Sequence, residues 1–114
     1  MDERTRRRLA DMVEYSDAAI GFVSGIGVAE FEADARTHLA VIKCVETVGE
    51  AAAQIGRPAL KRLVPGQPWQ DIIGMRNILI HEYFGVSLST VYETVVSFLP
   101  TFANAVREKL ESTA

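Results

Sequence analysis

Residues 69–81 read WQDIIGMRNILIH, and apolar side chains occupy nearly every side of the helix that this spacing predicts. A helix that is apolar almost all round is buried on more than one side. In a chain of 114 residues, the second covered side is a candidate for contact with another subunit. Pro68 suits the first turn of this helix, because a proline lacks only an N–H that has no helical partner there.

Helical spacing recurs on both sides of this segment, whereas strand-like alternation is scarce. A first helix is predicted from about Asp2 to Val23 and a second from about Phe31 to Ile55, where small residues around Gly49 allow another helix to approach closely. A short helical turn is predicted over 58–63, and a last helix from Leu88, capped by Ser87, to about Leu99, where Pro100 kinks it or restarts it towards Leu110. These elements predict one all-α domain over residues 1–114, a four- to five-helix up-down bundle that dimerises.

Composition excludes several classes of protein. Hydrophobic residues make up 48% of the chain, which excludes a disordered tail. The single cysteine, Cys44, excludes an intrachain disulfide and is expected to be a buried small hydrophobe. Because no signal peptide and no long apolar run are present, we expect a soluble cytoplasmic protein without a membrane partner. The pattern of residues predicts no metal site.

The charge balance argues against indiscriminate binding of nucleic acid. The chain has 12 basic and 15 acidic residues, a net charge of −3, while such binding depends on a basic surface. A local basic cleft is still compatible with this balance. The arginines of residues 4–8 are interpreted as a solvated face or as a rim that faces RNA.

Polar side chains interrupt the apolar helix at its C-terminal half. Asn77 and His81 are four residues apart, so Asn77 could orient the imidazole. Arg76 and His81 are five apart and diverge by about 140°, so the polar groups, with Tyr83 beyond them, form a broad strip. A cleft shared across a two-fold axis suits such a strip. In the alternative interpretation, Arg76 merely pairs with an acid such as Glu50, and His81 and Tyr83 cap the helix end.

The stretch 68–86 resembles the signature segment of the HepT-like toxins, a branch of the HEPN superfamily. The motif of that family is Arg, four residues, His, any residue and Tyr, and here it reads Arg76, NILI, His81, Glu82, Tyr83. Residues 48–52 (VGEAA) are similar to the Gly-Glu-Ala turn of the family, and the resemblance covers most of the chain. Tyr92 departs from the tryptophan that members commonly carry, which we interpret as a packing substitution.

The resemblance implies a dimeric helical bundle with a ribonuclease cleft at the subunit interface. It implies RNA cleavage by Arg76 and His81 without a metal or other cofactor, with Asn77, Tyr83 and Glu50 in supporting positions. It also implies a partner antitoxin of the minimal-nucleotidyltransferase type, which transfers AMP from ATP onto Tyr83 and silences the toxin.

Residue chemistry supports this activity independently. The 2′-OH of RNA is an internal nucleophile, so cleavage needs a base, an acid and a cation at the phosphate. A histidine titrates near neutrality, and an arginine keeps its charge and offers a fixed fork of donors. Two other functions stay open: a non-catalytic helical module that dimerises or binds a nucleotide or protein partner, and an enzyme that acts on small nucleotides.

Overall fold

The computed structural model describes residues 1–81 and 87–113, and every regular element in these two ranges is helical. The helices are α1 (Glu3–Val23), α2 (Val28–Ala33), α3 (Ala35–Ile55), α4 (Arg57–Leu63), α5 (Trp69–His81), α6 (Leu88–Glu93) and α7 (Leu99–Ser112), with a π-helical segment over Thr94–Phe98. The prediction of an all-α bundle is therefore confirmed.

The core lies between the four longer helices, α1, α3, α5 and α7. Helix α1 packs against both α3 and α7, and α3 packs against α5 on its other side. The N-terminal part of α1 lies beside the C-terminal part of α3, so these two helices are antiparallel. The helical spacing of the α1 sequence marks one apolar stripe, of which the structure leaves Ile20 half-buried and buries the rest: Leu9, Met12, Val13, Ser16, Ala19 and Val23.

The helix predicted from Phe31 to Ile55 is in fact two helices, which is a correction to the sequence analysis. Asp34 interrupts it with an extended backbone, and its carboxylate accepts hydrogen bonds from the Arg36 and Thr37 amides at 3.1 and 3.4 Å. A side chain that satisfies these amides starts a new helix at that point. The His38 ring then packs edge-on against Phe31 across the break, which holds α2 against α3.

Pro100 neither stops nor sharply breaks the last helix. Immediately before Pro100 the helix widens into a π-helical turn, in which the Leu99 amide donates to the Thr94 carbonyl, five residues back. Pro100 then occupies the first turn of α7, where its missing N–H has no cost. Of the kink and the restart predicted at Pro100, the structure shows α7 following without a gap from the π segment that connects it to α6.

Trp69 anchors the start of α5. It is 2% exposed, its indole N–H donates to the Val64 carbonyl at 3.0 Å, and its ring meets Phe102 of α7 edge-on. The bond to Val64 holds the loop before α5 against the core, so the position of α5 is set at its first residue. Elsewhere on α5 only Leu79 is buried, while Ile78 and Ile80 are exposed.

No helix within the described ranges is long and apolar enough to cross a membrane.

Candidate active site

Gly49 determines how closely α5 approaches α3. A Cβ atom at position 49 would overlap the Cβ of Arg76 and lie 3.1 Å from the Ile72 carbonyl oxygen. Only a residue without a side chain leaves room for that contact, which is why the small residues of α3 lie where α5 crosses it. The contact brings Arg76 beside Glu50, the residue that follows Gly49.

The guanidinium of Arg76 is held by two side chains. Its Nε donates to Glu50 Oε2 at 2.7 Å, with Nη2 against the same oxygen, and its Nη1 donates to Asn77 Oδ1 at 2.6 Å. The Arg76 side chain remains 25% exposed and that of Glu50 40% exposed. The cation is therefore fixed in direction while part of it still faces solvent.

Glu50 is held in turn by a neighbour on its own helix. Gln54, one turn later, donates from Nε2 to Glu50 Oε1 at 2.9 Å. The hydrogen bond from Gln54, and after it the one from Arg76, lower the pKa of Glu50 below its usual value, so this carboxyl is ionised throughout the neutral range. The sequence analysis missed Gln54, although its spacing of four residues from Glu50 is the usual signal of such a pair.

His81 is the last residue of α5, and it is exposed. Asn77 lies four residues before it but makes its hydrogen bond to Arg76, not to the imidazole. The predicted role of Asn77 as the group that orients His81 is therefore not what the described contacts show, and Asn77 instead helps to hold Arg76. Tyr83, the predicted modification site, and Glu82 lie outside the described residues.

The arrangement presents a cation and a titratable base to solvent along one helix. With Nε and Nη2 against Glu50 and Nη1 on Asn77, the guanidinium keeps one further N–H on each Nη atom, and these two groups can be directed at a phosphate. An exposed imidazole has ring nitrogens that can accept a proton from a bound substrate or donate one to it. Within residues 1–81 and 87–113, no three His, Cys, Asp or Glu side chains lie close enough to hold a metal ion together.

A groove of about 570 Å³ runs along the outer side of α5, and Asn77 is the residue of the candidate site that lines it. Asn77 and Gly74 line it together with the apolar Ile73 and Ile78, and Arg57 from α4 forms its far edge. Its lining combines apolar and polar groups, and Asn77 connects it directly to the guanidinium of Arg76.

Comparison with known proteins identifies the family. The family model described as "Ribonuclease HepT-like" matches residues 12–108, which includes α5 and both partners of its arginine. This chain belongs to that family. The match over residues 12–108 thereby confirms the family resemblance that the motif from Arg76 to Tyr83 indicated.

Individual relatives of the HepT-like chain are named as ribonucleases. It is 37% identical over 93 residues to a "Probable ribonuclease HepT" of Thermococcus cleftensis, with 82% of this chain and 84% of the relative covered. A "Putative RNase" of Methanocaldococcus jannaschii is 37% identical over 92 residues, 81% of this chain and 75% of that protein. A "Putative RNase" of Caldanaerobacter subterraneus is 31% identical over 106 residues, 93% and 94% of the two chains. Comparison with solved structures gives no significant match.

Proposed function

We propose that this chain is the toxin of a toxin–antitoxin pair and that it cleaves RNA without a metal, with Arg76 and His81 as the catalytic residues. The observation that carries the proposal is an Arg76 guanidinium that is fixed by Glu50 and Asn77, yet open to solvent, on the helix that ends at the exposed His81. Because the chain belongs to a ribonuclease family, we propose RNA as the substrate on which Arg76 and His81 act.

The reaction requires one proton to leave the ribose and another to reach the leaving group. The 2′-oxygen attacks the phosphorus while a base takes its proton, and the bond from phosphorus to the 5′-oxygen breaks as an acid protonates that oxygen. The products are a 2′,3′-cyclic phosphate and a free 5′-hydroxyl. Arg76 neutralises the charge that accumulates on the phosphate oxygens.

One imidazole cannot act as base and acid in the same step, so we propose that two chains share the site. A homodimer that joins through the outer side of α5 would bring the two copies of His81 to one cleft. The exposed Ile78, together with Ile73 in the lining of the neighbouring groove, supports this face as the interface, because a contiguous apolar patch on a helix favours burial against another chain.

The partner in this proposal is an antitoxin of the minimal-nucleotidyltransferase type. The Tyr83 hydroxyl would attack the α-phosphorus of ATP, with release of pyrophosphate and of the hydroxyl proton. The added AMP brings bulk and negative charge to the place where an RNA phosphate binds, so it would block cleavage. Mass spectrometry after co-expression with such a partner tests this step: we expect Tyr83 to gain one AMP, and an unmodified Tyr83 in an inactive complex contradicts it.

Single substitutions test the cleavage itself. Expression of the wild-type chain should arrest growth, and the purified protein should cut labelled RNA in the presence of a chelator. Arg76→Ala and His81→Ala should each abolish both effects. Arg107→Ala is the matched control, since Arg107 also forms an ion pair, with Asp17 between α7 and α1, on a different part of the surface. Cleavage that survives both site substitutions would overturn the assignment of catalytic residues.

Mixed dimers test the sharing of the site. A dimer of one wild-type protomer and one His81→Ala protomer, isolated through two different affinity tags, should lose most of its activity. Full activity in that heterodimer would show that one chain is sufficient.

The Arg76–Glu50 pair also fits a second function, a non-catalytic module whose polar strip stabilises a dimer or binds a partner. An ion pair is what that interpretation predicts for Arg76. The two functions predict different results for RNA cleavage. If the Arg76–Glu50 pair is purely structural, the wild type does not cleave RNA, and Arg76→Ala has no cleavage to lose.

A further inference from the structure

The arginines at the start of α1 divide into two groups by what they contact. Arg6 donates to the carbonyl and hydroxyl oxygens of Thr113 at 2.7 and 3.2 Å, so it ties α1 to the end of α7. Arg4, Arg7 and Arg8 are spaced at i, i+3 and i+4, so they share one side of the helix. Of these three, Arg7 and Arg8 line a groove against α3.

A groove of about 420 Å³ lies between α1 and α3 on that side. Six of its lining residues have polar or charged side chains: Arg7, Arg8, Asp11, Thr47, Glu50 and Gln54. Glu50 is also the partner of Arg76, so the groove and the candidate active site share a wall. The groove therefore opens beside the carboxylate that holds Arg76.

Neither groove arginine has an ion-pair partner among the described residues, while the Arg8 charge lies near enough to Glu50 to help lower the pKa of that carboxyl. The ion pairs formed among the described residues are Lys43–Glu46, Arg76–Glu50 and Arg107–Asp17, and none of them includes an arginine of α1. Glu50 is satisfied by Arg76 and Gln54, which leaves Asp11 as the one lining carboxylate without such a partner in the described part of the chain. Arg7 is exposed and Arg8 half-buried, so both can be reached from solvent.

We propose that Arg7 and Arg8 form a second phosphate subsite, which binds the backbone of the RNA strand next to the phosphate that is cleaved. The subsite rests on the proposed ribonuclease function, and it adds two cationic contacts that the reacting groups do not supply. A protein with a net charge of −3 can attract RNA only through local positive charge, and a basic groove that follows the backbone is how single strands are bound without regard to sequence.

Binding of an uncleavable RNA tests the subsite separately from catalysis. The probe is a fluorescent 2′-O-methyl oligoribonucleotide of about 12 nucleotides, long enough for one groove and without the nucleophilic hydroxyl. In the full chain, Arg7→Gln/Arg8→Gln should weaken binding about tenfold. The slope of log affinity against log salt should become shallower by about 1.4, since each phosphate contact to a single strand contributes about 0.7. Glutamine keeps the side-chain length and the helix propensity.

The matched control removes the same charge from another part of the protein. Arg36→Gln/Lys43→Gln lies in the N-terminal half of α3, away from the groove, and should leave the salt slope unchanged. Arg7→Lys/Arg8→Lys should retain the wild-type slope, because a phosphate contact needs a cation and not the guanidinium shape. If the glutamine pair at 7 and 8 behaves like the control pair, net charge alone explains binding and the subsite is overturned.

Competition identifies the source of the phosphate. Unlabelled ATP should displace the probe far less efficiently than unlabelled RNA, and equal displacement would assign the groove to a nucleotide and overturn the assignment to a strand.

The proposed subsite and the proposed ribonuclease function are overturned by different results. Cleavage by the wild type, with normal binding in Arg7→Gln/Arg8→Gln, removes the subsite alone. Weakened binding in that variant, with no cleavage by the wild type, removes the ribonuclease function alone.

Discussion

Gly49 of α3 lies against the side chain of Arg76 of α5, so closely that a methyl group at position 49 would overlap Arg76 Cβ. Glycine inside a helix costs about 0.5–1 kcal/mol relative to alanine, so its presence here reflects the space that Arg76 needs. The contact allows a charged side chain to emerge at a helix crossing beside Glu50. One missing side chain thus determines where the guanidinium of the candidate active site lies.

We expect Gly49→Ala to lower stability and activity together. The added methyl group meets the Cβ of Arg76 and the backbone of Ile72, neither of which is a flexible side-chain end, so α5 must shift. Overpacking of this kind costs about 1–3 kcal/mol. Gly21→Ala is the control, because no atom lies within 4 Å of the added carbon, and it should be neutral or slightly stabilising. Equal denaturation midpoints for the two variants would contradict the close contact.

Arg76→Lys should reduce RNA cleavage about 100-fold while the fold is retained, an effect typical of removing one donor that stabilises a transition state. A lysine ammonium keeps the charge but cannot bond Glu50 and Asn77 at the same time and still face the substrate. Stability should change by less than about 1 kcal/mol, because lysine keeps the positive charge beside Glu50 and a pair that is still partly open to solvent contributes little. Arg107→Lys, at the ion pair with Asp17, provides the comparison and should leave cleavage unaltered. Cleavage at the wild-type rate in Arg76→Lys contradicts a need for the fixed guanidinium.

Patterns with helical period predicted much of the fold. The stripe of α1 from Leu9 to Val23, the tight packing of small residues at Gly49 and the buried anchor Trp69 all follow from spacing and residue size. The break at Asp34 was missed because apolar residues continue on both sides of it, and only the cap geometry shows where one helix ends. Leu39 has the helical spacing of the buried Ile42, yet it is exposed near the start of α3, so spacing alone does not show how far along a helix the core extends.

The candidate site was predictable in its residues but not in its contacts. The sequence offers Glu50 as an ion-pair partner of Arg76, and the structure contains that pair, which is compatible with both the catalytic and the structural interpretation. The contact of Asn77 with Arg76 was not predicted, because spacing along one helix gives neighbours without their side-chain directions. Asn77 meets the residue directly before it, a contact that no i, i+4 rule predicts.

Acid should remove the contribution of Glu50 to stability. Its pKa in the folded chain is lowered, by Gln54 first and Arg76 next, so the folded state favours the ionised carboxylate. That contribution is fully present above the ordinary glutamate pKa of about 4.3 and is lost as the pH falls through the lowered value. Glu50→Gln should therefore be less stable than the wild type at pH 7, and the two proteins should converge in strongly acidic buffer. Chemical denaturation across the acid range measures this, and a constant difference at every pH contradicts it.

The thiol of Cys44 should report unfolding. It is 6% exposed among the valines of α3, and burial raises its pKa, so both access and thiolate content are low in the folded chain. A thiol reagent in excess at pH 8 should therefore react only with the unfolded fraction. If Gly49→Ala costs one or two kcal/mol, labelling of Cys44 should accelerate about 5–30-fold in that variant and stay near the wild-type rate in Gly21→Ala. Reaction of the native wild type at the speed of a free thiol contradicts a buried Cys44, and equal rates in the two glycine variants contradict the packing of Arg76 on Gly49.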